Sequence, residues 1–189
     1  MSSADLAHKG KLLLDNLIRS RQASVIDEDV FARLYQTHLS GVFNYCLFRT
    51  GNRAVAEDLT ADAFERAWRA RHRYRPEQAT FGTWLFTITR RVVTDWQRRQ
   101  ARRPVTGLNE QQPGEVSPES QVEETEEQIQ LRHLLHTLDP PEQELIALKF
   151  GAGMTNREIG QVIGKSETAV GSALYRLMQK LRIKWDEIQ

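Results

Sequence analysis

Between Val30 and Thr50, apolar side chains recur at Phe31, Leu34, Tyr35, Leu39, Val42, Phe43, Cys46 and Leu47, every three or four residues. That rhythm predicts a helix with a broad apolar face. The acidic turn Asp27-Glu28-Asp29 starts it, and Gly51 ends it. Asn52 then caps a second helix, in which Leu59, Ala63 and Ala67 form the packing face. Asp58, Asp62 and Glu65 fall at i, i+4 and i+7 and so share a neighbouring face. After a polar loop around Pro76, a third helix is expected to bury Leu85, Ile88, Val92 and Trp96. Across from that stripe run Trp84, Thr87, Arg91, Arg98 and Arg102. Three helices of this length can close a core.

Arg102-Arg103-Pro104 stops the pattern. The segment after it is poor in apolar residues and rich in Pro, Gly, Gln and Glu, so no secondary structure is expected there. Helix resumes around Glu123, with Ile129, Leu131, Leu134, Leu135 and Leu138 as its apolar set. Asp139-Pro140-Pro141-Glu142 is a capping pattern with proline in the first turn, opening a helix that ends before Gly151. Thr155-Asn156-Arg157-Glu158 is a second capping box, whose short helix turns Ile159, Val162 and Ile163 inward. Gly160 leaves room there for a closely crossing helix. Gly164 closes the element, and Ser166 caps a last helix from Glu167 to about Trp185. On that helix Val170, Leu174, Leu177 and Leu181 face inward, while Thr168, Ser172, Tyr175, Arg176 and Gln179 face out. Two capping boxes and a tight turn in this order predict a helix-turn-helix.

The expected fold is therefore all-α: two small helical domains joined by a flexible acidic linker, the C-terminal one a helix-turn-helix. The boundaries are a polar leader over 1–26, the first domain over 27–103, the linker over 104–122 and the second domain over 123–189.

Net charge adds little, with 26 Lys and Arg against 25 Asp and Glu, but its distribution adds more. Eleven arginines lie between Arg66 and Arg103, against Glu77 and Asp95. Seven glutamates and no basic residue lie between Pro104 and Gln130. Such separation suits a chain that meets a polyanion with one part and avoids or mimics one with another. On the third helix, arginines could track phosphates while Trp84 stacks on an exposed base. A solvated charged face with Trp84 in the core accounts for the same residues equally well. Cys46 is the sole cysteine, which rules out an intramolecular disulfide and a cysteine-based zinc cluster and points to a reducing, cytoplasmic setting. The run Leu12-Leu13-Leu14 is too short for a signal peptide or a membrane span. His133 and His136 stand three apart without a completing ligand, so neither a metal nor a cofactor is expected.

The stretches AEDLTADAFERAW and FGTWLFTITRRVVTDWQRR resemble the second conserved region of bacterial sigma factors, nearest to the small extracytoplasmic-function class. The C-terminal helix-turn-helix is similar to the fourth conserved region of the same family, in the family's order. The resemblance implies a protein that is no enzyme itself and whose partners are core RNA polymerase and promoter DNA, with an anti-sigma factor a further candidate. It assigns Asp58, Leu59, Asp62 and Glu65 to docking on a coiled coil of the largest polymerase subunit. The loop between the second and third helices would hold a base flipped from the minus-ten element. Arg75, Glu77, Gln78 and Thr80 would then act there, followed along the helix by Trp84, Thr87, Arg91, Arg98 and Arg102. Minus-thirty-five contacts fall to Arg157, Thr168, Ser172, Tyr175, Arg176, Gln179 and Lys180. Such linkers thread acidic residues toward the polymerase active-site and RNA-exit channels. The family begins near Phe31, which makes the leader an addition. Gly171 and Ala173 stand where related sequences often carry lysine and arginine, so fewer phosphate contacts are expected from the recognition helix.

Two other function classes compete. Thr155 to Leu181 also resembles the module of LuxR-type regulators, which would bind palindromic sites as a dimer. A receiver or sensory domain should then precede it, and residues 30–103 lack the alternating strands that would require. A helical enzyme is the third. No nucleophile–base pairing and no phosphate-binding glycine loop supports it.

Overall fold

The computed structural model of the protein describes residues 26–102 and 125–188, and every described element is helical. The expectations for the leader and for the linker over 104–122 lie outside the described residues. Helix α1 spans Glu28–Thr50, α2 Arg53–Ala70 and α3 Phe81–Ala101, with a short 3-10 turn over Arg71–Arg73. Helix α4 spans Glu126–His136 and α5 Pro140–Ile146; a π-helical turn follows over Ala147–Gly151, then α6 over Asn156–Ile163 and α7 over Glu167–Asp186.

Local chemistry sets most of these boundaries. Asp27 Oδ1 accepts from Val30 N at 2.8 Å and Asn52 Oδ1 from Val55 N at 3.0 Å. The hydroxyls of Thr80, Thr125, Thr155 and Ser166 receive the corresponding amides of α3, α4, α6 and α7. Each satisfies a first-turn donor that has no partner within the helix. Thr155 and Thr125 are full capping boxes, their own amides donating to Glu158 and Gln128. Gly51 and Gly164 take φ of 65° and 71°, the left-handed conformation that closes α1 and α6.

Helix α1 is the hub of the packing. Val42, Tyr45 and Cys46 are buried in one core with Leu59, Ala63 and Ala67 of α2 and Leu85, Phe86 and Val92 of α3. That same core runs on into the C-terminal half through Ala147, Leu148, Met154, Ile159, Val162, Val170 and Leu174. A second cluster joins α4, α5 and α7 through Leu134, Leu138, Ile146, Leu177 and Leu181, with Phe48 of α1 against it. The two helical modules are thus packed together in the free chain. Burial pushes the Cys46 thiol up to about 11, which keeps it protonated and unreactive.

The structure departs from the sequence pattern in places. Ile88 and Trp96 are half-buried beside the fully buried Leu85 and Val92. Ile129 and Leu131, expected in the core of α4, are exposed, because that helix presents only Leu134 fully to α7. The helix that begins at Pro140 does not stay α-helical to its end: Ala152 N donates to Ala147 O at 2.9 Å, an i+5 bond. Gly160 makes its close approach to the turn that follows it rather than to a crossing helix. A Cβ there would stand 2.5 Å from the Lys165 carbonyl oxygen, while Lys165 N donates to Gly160 O at 2.9 Å.

Gly160→Ala should therefore lower stability by about 1–3 kcal/mol, since backbone rather than a flexible side chain must yield. Gly171→Ala meets only the Asn156 Nδ2 atom at 3.4 Å and lies inside α7, so it should be neutral or stabilising by up to ~1 kcal/mol. Paired denaturant unfolding curves check both; equal effects of the two substitutions would contradict the turn geometry.

Candidate nucleic-acid interface

The loop between α2 and α3 is built on Tyr74. Its hydroxyl donates to Ala79 O at 3.2 Å, and Gln78 N donates to Arg75 O at 3.0 Å, which tightens the loop into a turn. The Arg75 guanidinium folds back onto the carbonyls of His72 and Tyr74. Tyr74 packs edge-on against Phe81 at 5.6 Å and tilts against Trp84 at 5.4 Å. Burial and then the Glu77 carboxylate raise the Tyr74 hydroxyl above its ordinary value, so it remains a donor. These rings extend a cluster that includes Phe31, Phe64 and Trp68.

Beside the turn is a cleft of about 320 Å³, lined by Arg73, Tyr74, Arg75, Gln78, Ala79, Thr83, Trp84, Thr87 and Gln161. Its walls combine ring faces with amide, hydroxyl and guanidinium groups. That combination is what an unpaired base requires: a flat apolar surface and edge donors and acceptors. Arg75, Gln78, Trp84 and Thr87 line the cleft as a group. Thr80 is exposed but its hydroxyl caps α3, and Glu77 is exposed at the turn. Gln161 reaches the cleft from α6, far away in sequence. Nothing in its periodicity marks it, and only the packing of the two modules reveals it.

Farther along α3, Arg91, Arg98 and Arg102 are exposed. Arg98 and Arg102 line a shallow depression of about 390 Å³ with Arg66, Arg99 and Asp95. Asp95 lies 3.8 Å from Arg66, so Arg98, Arg99 and Arg102 are what give the depression a cationic character suited to phosphate. The acidic stripe of α2 is on the surface at Asp58, Asp62 and Glu65, whereas Leu59 is buried beneath it. Asp62 holds Arg66 bidentately at 2.7 and 2.8 Å, and Glu65 pairs with Arg69.

On α7, Thr168, Ser172, Tyr175, Arg176 and Gln179 form an exposed face, with Arg157 exposed on α6. Lys180 is half-buried and donates to both Glu142 oxygens at 2.9 and 2.8 Å; this holds the Glu142 carboxyl below its usual range. Gly171 and Ala173 are half-buried, so a long cation at either position would emerge at the rim of that face. Among the described residues no three His, Cys, Asp or Glu side chains gather to hold a metal, and no helix is long and apolar enough to cross a membrane.

Comparison with known proteins gives two family matches in order: Sigma-70 region 2 over residues 34–103 and Sigma-70, region 4 over residues 128–181. The ECF RNA polymerase sigma factor BldN of Streptomyces coelicolor is 34% identical over 168 residues. That match takes in 87% of this chain and 63% of BldN, so the chain spans less than two thirds of that relative's length. The ECF RNA polymerase sigma factor SigL of Mycobacterium tuberculosis is 26% identical over 91% of this chain and 98% of its own. Among solved structures, CnrH in complex with the cytosolic domain of CnrY superposes with a TM-score of 0.66 at 24% identity, covering 89% of this chain and 95% of that one. The sigma factor RpoE in complex with the anti-sigma factor NepR from Bartonella quintana gives 0.62 at 19% identity, covering 80% and 94%. Both share the fold.

One titratable side chain lies where the modules meet. His38 of α1 is half-buried under Gly82 and 5.7 Å from the Phe81 ring. Burial lowers its pKa from the ordinary 6.5, and Glu158 of α6 opposes this only in part. The folded chain therefore favours neutral His38, and the unfolded chain takes up the proton first as pH falls. Stability should drop as pH passes from above 6.5 down through the depressed value, then stop changing on this account. His136, also lowered by burial, acts in the same direction. His38→Gln should flatten the dependence in unfolding curves taken between pH 7.5 and 5 (a range of about 2.5 units around the ordinary value); an unchanged slope would contradict the desolvated site.

Proposed function

This chain belongs to the extracytoplasmic-function class of bacterial sigma factors, and we infer that it binds core RNA polymerase and directs transcription initiation at promoters. We read it as an initiation factor rather than an enzyme. The observation that carries this reading is the cleft at Trp84, a ring-walled pocket with polar edges, standing beside a cationic track along α3. Bases of the minus-ten element would enter the cleft at Arg75, Gln78 and Trp84, with Glu77 and Thr80 at its rim. The displaced strand would follow Arg91, Arg98 and Arg102 by phosphate contact.

The exposed face of α7, from Thr168 through Gln179, suits the minus-thirty-five major groove, with Arg157 and Arg176 on phosphates. Lys180 would join them only by leaving Glu142. The acidic stripe Asp58, Asp62 and Glu65 is assigned to docking on polymerase, and Leu59 supports it from below. We place the protein in the cytoplasm, with the domain limits drawn from the sequence, and expect an anti-sigma factor among its partners, because the sigma factor RpoE, which shares the fold, is held by the anti-sigma factor NepR. A stand-alone LuxR-type regulator is not favoured, because residues 34–103 match region 2 of the sigma factors.

Run-off transcription with purified core polymerase on a promoter library tests the whole reading: initiation dependent on this chain is expected, and none at any promoter would refute it. Within that assay, Asp58→Lys with Asp62→Lys should weaken core binding while leaving helicity intact. The same change removes the Asp62–Arg66 pair, which is exposed and contributes only ~0.3–0.5 kcal/mol, too little to explain a lost complex. Undiminished competition for core polymerase by the double variant would overturn the docking face.

Exchanging residues 75–80 for another loop should shift the preferred minus-ten sequence without abolishing polymerase binding. If the preference profile stays the same, this loop is an ordinary turn.

A further inference from the structure

The cations of α7 do not all stand free in solvent. Arg176, Lys180 and Lys184 follow one another at four-residue steps and so share one face of the helix. Arg176 is exposed, but Lys180 Nζ donates to both oxygens of Glu142 at 2.9 and 2.8 Å, and Lys184 Nζ donates to Thr137 Oγ1 at 3.1 Å. Both lysines thus lean on the corner between α4 and α5. Glu142 is fixed there without their help. It follows Pro140 and Pro141 in the first turn of α5, and its Oε2 accepts from Asp139 N at 3.1 Å. Packing does not need the pair either, because Leu138, Ile146, Leu177 and Leu181 already join this corner to α7. The Lys180 and Glu142 side chains are 39% and 26% exposed, so water reaches and screens them.

We propose that Glu142 is a resident substitute for a DNA phosphate: Lys180 exchanges this carboxylate for the phosphate backbone when α7 enters a groove, and Glu142 thereby sets the affinity and salt dependence of the C-terminal module. Duplex DNA carries condensed counterions that are released when a phosphate is neutralised, a gain that a lone, screened carboxylate does not match. The exchange is therefore favourable but self-limiting. Lys180 gains a phosphate, while the vacated Glu142 remains as a negative charge beside the DNA and draws a counterion back. Its bond to the Asp139 amide does not depend on Lys180, so α5 keeps its start throughout. With no cation at Gly171 or Ala173, α7 has few other groups to add such a contact. The proposal rests on the promoter-binding reading above for which face of α7 meets DNA.

The test uses the full-length chain and four variants. Glu142→Gln keeps the shape and the cap but frees Lys180. Lys180→Met removes the ammonium, and a third variant combines the two changes. Glu127→Gln is a charge-matched control at an exposed position of α4. Circular dichroism confirms that each folds. Fluorescence anisotropy with a random-sequence DNA duplex, without polymerase, then gives Kd between about 50 and 200 mM salt. Glu142→Gln should tighten binding about two- to fivefold, the scale of an exposed ion pair. It should also steepen the log–log salt slope by up to about one, since each phosphate neutralised adds ~0.9. Lys180→Met should weaken binding, and in the double variant it should cancel both gains. Glu127→Gln should leave the slope as it is in the parent. A gain from Glu142→Gln that survives Lys180→Met would show net charge at work and overturn the exchange. An unchanged slope in Glu142→Gln, or no duplex binding by any chain, would overturn it too. Run-off transcription judges the promoter reading separately: if the slopes shift as expected while no chain supports initiation with core polymerase, the exchange stands and the sigma-factor reading falls.

Discussion

The fold depends on α1 being apolar around more than half its circumference. A helix that packs on one side can leave the other to solvent, but this one meets α2 and α3 on one flank and the π turn on the other. Tyr45 shows the constraint at a single residue. Its ring packs edge-on to Phe86 of α3 at 5.9 Å while its hydroxyl reaches Glu144 of the other module. Gly41, one turn earlier, lets the chain at Ala152 come close. Remove the second flank, and Tyr45 would be left with a wet hydroxyl on a hydrophobic ring. The two modules are in this sense one core with a seam.

The elements themselves were legible in the sequence because their signals are local. Asp27, Asn52, Thr80, Thr155 and Ser166 each act on an amide three residues away, and the inward set of α7 is the periodic one. The exposed face of that helix follows from the same period. The seam was not legible. Its contacts join residues some 50 to 100 positions apart, as between Arg90 or Tyr45 and Glu144, and they run through glycines and alanines that carry no pattern. Gln161 shares the cleft for the same non-local reason. Ile129 and Leu131 misled because periodicity says which residues are apolar on a face, not whether anything covers that face. Trp84 packs partly buried against the core while also lining the cleft, so its burial matches neither a core residue nor a free one.

Charge follows a similar division. On α2 the carboxylates face arginines of their own helix, Asp62 with Arg66 and Glu65 with Arg69, and these pairs are exposed and weak. Of the pairs that cross between elements, Arg66 with Asp95 is exposed, whereas Arg90 with Glu144 and Lys180 with Glu142 are drier. Two carboxylates of one short helix, Glu142 and Glu144, thus take cations from opposite sides, one from α7 and one from α3. The eleven arginines of the central stretch read as a uniform polyanion-seeking block in the sequence. In three dimensions Arg90 is committed to the protein, whereas Arg91, Arg98 and Arg102 are exposed.

The widened turn after Ile146 sets the phase of everything beyond it. Ile146 belongs to the cluster with Leu177 and Leu181, whereas Ala147 and Leu148 belong to the core around Val42 and Leu85. A regular α-helix advances by a fixed angle per residue and keeps an apolar stripe to one side; one extra residue in a single turn rotates the stripe and lets a short rod serve two cores. The segment is thereby sensitive to length rather than to composition. Apolar exchanges within it would preserve the phase, whereas losing or gaining one residue would turn Leu148 or Ile146 out of its core. Variation among related chains should therefore spare the number of residues between Pro140 and Met154 even where it alters their identities.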